Sequence, residues 1–191
     1  MTNCSRRGRE SPLFSLIVGY RYRSQAVFQE GESLFSPAEV ELLENPAQLA
    51  AQPGTRLPHL WVEQHGQRIS TLDLIDGRFV LLVGPAGKPW QKTAPAVAAS
   101  RGIELAVCRL AADGDLLDRE DGWRTKLGMS DAGAVLVRPD GFVAWRSTLP
   151  INPERKLGQV LSSILGQPTA DQPIRLAVRM PRAAARTSVT G

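Results

Sequence analysis

Regular alternation of apolar and polar positions is confined to the middle of the chain. Phe79-Val80-Leu81-Leu82-Val83 is an unbroken apolar run, as expected of a central strand covered on both faces. Pro89 and Trp90 suit a helix start, and Gly102 suits an end. Between them Ala94, Val97 and Ala98 share one face of a helix predicted over 90–100. Ile103 to Cys108 alternates again and reads as a second strand. A strand, a helix and a strand in that order form a right-handed crossover with parallel pairing. Further on, Ala134–Arg138 and Phe142–Arg146 flank Pro139-Asp140-Gly141, which predicts a hairpin. After Asn152-Pro153, read as a helix cap, Leu157, Val160, Leu161, Ile164 and Leu165 fall at i, i+3, i+4, i+7 and i+8. They form one stripe of a helix over 153–165 that Gly166 closes.

The pattern is weaker on either side. Leu60-Trp61-Val62 and Arg68-Ile69-Ser70-Thr71 suggest a short hairpin around Gln64-His65-Gly66. Trp123 and Leu127 sit in a possible short helix inside the acidic stretch 113–132. Residues 13–27 favour extended structure, with Leu16, Val18, Tyr20 and Tyr22 on one face. Ser36-Pro37-Ala38-Glu39 predicts a short helix to about Glu44, and 45–58, with Pro46, Pro53, Gly54 and Pro58, reads as a surface connection. The organisation that follows is a disordered N-terminus (1–12), an extended segment with short helix and linker (13–58), a domain (59–166) and a disordered basic tail (167–191). From residue 79 the order is β-α-β-(α)-β-β-α. An α/β fold with a mixed central sheet and flanking helices, in that order, is the thioredoxin-like arrangement. The strand-prone segment 13–27 has no place in it, so it is expected to be an unpaired strand, removable with residues 1–45 at little cost to the domain.

Charge and cysteines narrow the function classes. The net charge is +4, but residues 1–12 carry +2 and residues 174–191 carry +4, leaving −2 on 13–173. That distribution argues against a nucleic-acid partner. No apolar run approaches the ~18 residues of a membrane helix, so a soluble cytoplasmic protein is expected, with no membrane partner. The two cysteines, Cys4 and Cys108, are too few for a disulfide framework, and His59 and His65 have no cysteine pair beside them to suggest zinc. In a redox-active domain of this fold, a Cys-x-x-Cys pair sits where the first strand meets its helix. Here that junction reads Gly84-Pro85-Ala86-Gly87-Lys88-Pro89-Trp90, without a cysteine, serine or threonine. It also lacks the spacing of a P-loop and the hydroxyl residue after its lysine. His59 has no nucleophile or orienting acid in view, and Asp73, Asp76 and the acids Asp113, Asp115, Asp118, Glu120 and Asp121 read as solvated loop residues. Trp61, Trp90, Trp123 and Trp145 read as core or interface anchors. No catalytic, cofactor-binding or metal-binding residue is nominated.

Several strings nevertheless resemble one family. Pro53-Gly54-Thr55-Arg56-Leu57-Pro58-His59-Leu60-Trp61 is similar to the opening of the C-terminal domain of the phenol hydroxylase-like flavin monooxygenases. Ser70-Thr71-Leu72-Asp73-Leu74 with Phe79–Gly84 resembles that domain's next stretch, and Gly133 to Arg146 resembles its closing hairpin. Gly19-Tyr20-Arg21-Tyr22-Arg23-Ser24 is similar to the strand that precedes the linker in bacterial members. The resemblance implies a thioredoxin-like domain that packs on a catalytic portion or at a dimer interface. It implies that the full-length enzymes use FAD and NAD(P)H to put one oxygen atom of O₂ on an aromatic ring. The family's Gly-x-Gly-x-x-Gly fingerprint and its Gly-Asp flavin motif have no match here, so no FAD-binding residue is carried over. The expected role is that of a separate, truncated or split C-terminal domain. Its partner would be an FAD-domain subunit or a second copy, with no cofactor held by this chain. The alternative is a stand-alone binding module without catalytic activity.

Overall fold

The computed structural model describes residues 21, 24, 26–28 and 50–168. The expectations for 1–12, for a helix at 36–44, for most of 13–27 and for the tail beyond 168 lie outside those residues.

Four strands form the central sheet: β3 (Phe79–Val83), β4 (Leu105–Arg109), β5 (Ala134–Val137) and β6 (Val143–Ser147), in the order β4-β3-β5-β6. β3 and β4 are parallel, with Phe79 opposite Leu105 and Val83 opposite Arg109. β5 runs antiparallel to both β3 and β6. The parallel pair is joined by helix α1 (Lys88–Ser100), and helix α3 (Pro153–Leu165) follows the hairpin. This is the mixed sheet of the thioredoxin-like arrangement. A separate hairpin, β1 (Trp61–Gln64) with β2 (Gln67–Ser70), leads to a 3₁₀ turn at Thr71–Leu74, and a short helix α2 (Gly122–Thr125) lies in the acidic stretch.

Strand alternation divides the core into two layers. Val80, Leu82, Val135, Val137 and Val143 face Leu60, Val62, Leu110, Trp123 and Leu127. Leu81, Val83, Leu136 and Trp145 face Trp90, Ala94 and Val97 of α1 and Leu157, Val160 and Leu161 of α3. Both faces of β3 and β5 are therefore dry, which is why their sequences are continuously apolar. Each such side chain contributes about 1.5–3 kcal/mol of burial.

Turn chemistry sets the connections. His65 and Gly66 both have positive φ, 50° and 78°, as a two-residue type I′ hairpin requires. At the second hairpin the Gly141 amide donates to Arg138 O at 2.9 Å and the Arg138 amide to Phe142 O at 2.8 Å. Gly141 takes φ 83° there, the left-handed residue of a three-residue loop.

The structure amends three local readings. β4 starts at Leu105 because the Ile103 amide still donates back to Ala98 O, finishing the helix. Asn152 precedes α3 with φ 45° and makes no side-chain cap; its carbonyl accepts from the Lys156 amide at 2.9 Å. The end of the expected surface connection is not superficial: Ala51, Thr55 and Leu57 are buried. Gly54 donates to Val143 O and Val143 to Thr55 O, both at 2.8 Å, so this stretch lines the outer edge of β6. Among the described residues no helix is long and apolar enough to cross a membrane.

Candidate functional site

A dithiol in this fold works at the turn from the first parallel strand into its helix, where the helix N-terminus lowers a thiol pKa. Here Val83 ends β3, Gly87 is the N-cap of α1, and Pro89 lies in the first turn. A Cys-x-x-Cys pair spanning the N-cap and the third helical residue would fall on Gly87 and Trp90. A Cβ on Gly87 would stand 2.8 Å from Val83 Cβ and 2.9 Å from Gly84 O, so even the root of a side chain is crowded. Trp90 is fully buried. Its Nε1–H donates to Ala132 O at 3.0 Å, and its ring meets Trp145 edge-on at 5.3 Å. The place of a second sulfur is occupied by a core anchor.

The backbone of the turn is equally committed. Ala86 donates to Asp131 O at 2.8 Å, Gly87 to Gly84 O at 2.8 Å, and Trp90 to Gly87 O at 3.0 Å. A Cβ on Gly84 would collide with Asp131 O and lie 2.7 Å from Trp123 Nε1, so glycine is required there by space. Lys88, the one cation of the turn, reaches Asp113 Oδ2 at 3.4 Å. These pairings support a structural turn over a phosphate cradle.

Arg109, at the end of β4, braces the turn from the side. It is only 4% exposed. It donates to Pro85 O at 3.2 Å, Asp113 Oδ1 at 2.9 Å and Asp113 O at 2.8 Å. The Arg109 guanidinium, then Lys88, holds the Asp113 carboxyl down at about 2. Sequence reasoning passed over Arg109; its signal was a cation closing an apolar strand with an acid four residues on.

The other candidates disperse. A cleft of about 350 Å³ beside the turn is lined by Pro85, Leu117, Asp118, Asp121, Trp123 and Arg124 among others. Asp118 accepts from the Trp123 amide at 2.8 Å, Asp121 pairs with Arg124 at 3.2 Å, and Arg124 also pairs with Asp131 at 2.6 Å. Glu120 pairs with Arg68 at 2.8 Å, and Asp115 accepts from the Arg109 amide at 2.8 Å. The acidic run is thus spent on loop architecture and surface ion pairs, each of small energetic value. Cys108 is partly buried, and burial, with Asp115 adding, pushes its thiol up to about 11. At neutral pH it is a thiol, a poor nucleophile.

The structure does bring His59 to a hydroxyl. His59 Nδ1 and Ser70 Oγ are 2.6 Å apart, and the exposed imidazole meets Trp61 edge-on at 4.5 Å. Sequence spacing gives no sign of this pair, because a hairpin separates its members. Ser70 Oγ also accepts from the Leu72 amide at 3.1 Å, while Asp73 accepts from the Ser70 amide at 2.8 Å. This is a capping box on the 3₁₀ turn, and Asp73 is spent on the cap. Asp76 pairs with Arg78. Of the tryptophans, 90, 123 and 145 are buried anchors, whereas Trp61 is 41% exposed under Arg68. Among the described residues no group of three or more His, Cys, Asp or Glu is placed to hold a metal ion.

Comparison with known proteins places this geometry. The family model described as the C-terminal domain of aromatic-ring hydroxylases matches residues 50–168. The 4-methyl-5-nitrocatechol 5-monooxygenase of Burkholderia sp is 37% identical over 153 residues, 80% of this chain and 28% of that protein. The tetracenomycin A2 monooxygenase-dioxygenase of Streptomyces glaucescens is 38% identical over 160 residues, 83% of this chain and 27% of that protein. Aklavinone-11 hydroxylase, solved in a ternary complex with FAD and aklavinone, superposes with a TM-score of 0.71 at 38% identity. That match covers 80% of this chain and 27% of the hydroxylase. The chain spans about a quarter of the length of these relatives. With a thioredoxin-like sheet and a family match over residues 50–168, the chain belongs to the aromatic-ring hydroxylase C-terminal family.

Proposed function

We propose that this chain serves as the redox-silent C-terminal domain of a flavin-dependent aromatic-ring hydroxylase, acting by structural association with an FAD-bearing portion. The turn from β3 to α1 is the observation that carries this reading. Gly87 and Trp90 stand where a dithiol would, the Gly84, Ala86, Gly87 and Trp90 amides donate to backbone carbonyls, and Arg109 locks Pro85 and Asp113. These pairings support a turn that serves the fold, with Lys88 drawn to Asp113. The reading places oxygen transfer to an aromatic ring, with FAD and NAD(P)H, on the portion that the longer relatives carry beyond this domain.

The test is direct. The purified chain is titrated with FAD while flavin fluorescence is followed, and then assayed for reduction of a protein disulfide by dithiothreitol. Flavin fluorescence is expected to stay unchanged and the reduction rate to equal the protein-free rate. Stoichiometric flavin quenching, or catalytic turnover of the disulfide, would contradict the reading.

A further inference from the structure

We infer that Arg21, Ser24 and residues 26–28 form a strap that the domain itself holds, and that a notch between the outer edge of β6 and α3 is built to receive it. The notch begins with an irregularity in the sheet. Leu136 stands opposite Trp145 but Val137 stands opposite Val143, so Ala144 is an extra residue, a β-bulge. A bulge leaves its residue outside the regular ladder. The Ala144 carbonyl accepts from the Phe28 amide at 2.8 Å. The Phe28 side chain packs against the core layer under α1 and α3, and Lys156 of α3 lies over its ring at 5.2 Å, a cation–π contact.

The strap is shaped for this. Val27 donates to Ser24 O at 3.0 Å and Ala26 to Ser24 Oγ at 3.1 Å, a local turn that delivers Phe28 to the bulge. A second fastening lies at the other end, where Arg21 Nε–H donates to Pro53 O at 3.3 Å. Pro53 precedes the stretch that lines the first part of the β6 edge, so strap and stretch together cover that edge. An uncovered edge is a template for other chains, and covering it is one way a fold avoids aggregation. At these residues the expectation of an unpaired segment therefore gives way to a segment held at the β6 edge.

The contact stands whatever this domain serves. Its wider consequence rests on the proposed function: in a longer relative the strap would join the preceding portion to this domain, so the notch would grip that portion. The test uses the full chain and amide hydrogen exchange. The Phe28 amide is expected to exchange at least about tenfold more slowly than in a free peptide of the same sequence, as a protected local contact does. Phe28→Ala should abolish that protection, whereas Phe28→Leu, which keeps both the amide and an apolar side chain, should retain most of it. β3 amides, protected in every variant, report that the domain is folded. Free-peptide exchange at Phe28 in the unaltered chain would overturn the inference, as would full protection in Phe28→Ala. Neither result bears on flavin binding or disulfide reduction, so failure here is separable from failure of the proposed function.

Discussion

Asp113 shows how a residue that looks like a candidate acid becomes a structural one. Its carboxylate is 68% exposed, yet it bridges buried Arg109 and exposed Lys88 across the turn. A carboxyl held at about 2 by these cations contributes stability at pH values above the ordinary carboxylate range. That contribution is lost as pH falls through about 2. Asp113→Asn removes it at neutral pH and also removes its titration. The variant is therefore expected to be less stable than the parent at pH 7 and to lose less stability between about pH 4 and pH 2. Urea midpoints measured across that range check this, and added salt should shrink the neutral-pH difference because the carboxylate is solvated. A parallel pH dependence in both proteins would show that the bridge does not act.

At the scale of elements, the turn from β3 into α1 carries Gly87 and the buried Trp90 at the spacing that a dithiol would need. Substituting Gly87→Cys and Trp90→Cys together supplies the missing spacing, but it removes an indole that fills the core against Trp145. Truncating a buried tryptophan costs about 3–5 kcal/mol, and the new Cβ at position 87 adds strain. The double variant is expected to have a lowered denaturant midpoint and no disulfide reductase activity. A stable variant with dithiol activity would show that the site is dormant, not rebuilt. What sequence revealed here follows from side-chain periodicity. Phe79–Val83, the α1 stripe, the Pro139-Asp140-Gly141 hairpin and the α3 stripe were legible because their apolar positions repeat with the element. The pairing of Gly54 and Thr55 with Val143 was not, because it runs through backbone groups of a proline-rich stretch that has no apolar period. The Arg109 brace left only the local signal of an acid four residues on, while its bond to Pro85 O depends on strand register. The Ser70–His59 contact depends on how the intervening hairpin folds back. The absence of a reactive residue at the turn was readable from residue types alone; that Trp90 fills the space required the packing.

At the scale of the whole molecule, two core layers lie on either side of one mixed sheet, and among the described residues the acidic stretch is held in ion pairs and caps. Two of the four strings that carried the family resemblance, Pro53–Trp61 and Gly133–Arg146, contain the edge stretch and the hairpin that it lines. Their likeness to hydroxylases is a likeness of architecture, and the proposed structural role would draw on it. Domain replacement tests this most directly. Residues 21–168 are grafted in place of the corresponding C-terminal quarter of aklavinone-11 hydroxylase, which was solved with FAD and aklavinone, and the chimera is compared with the intact enzyme and with the enzyme lacking that quarter. A structural, redox-silent domain predicts a chimera that retains FAD and hydroxylates at a rate near that of the intact enzyme, while the deletion loses flavin and activity. A chimera no better than the deletion, in a protein whose grafted domain still unfolds cooperatively, would contradict the account.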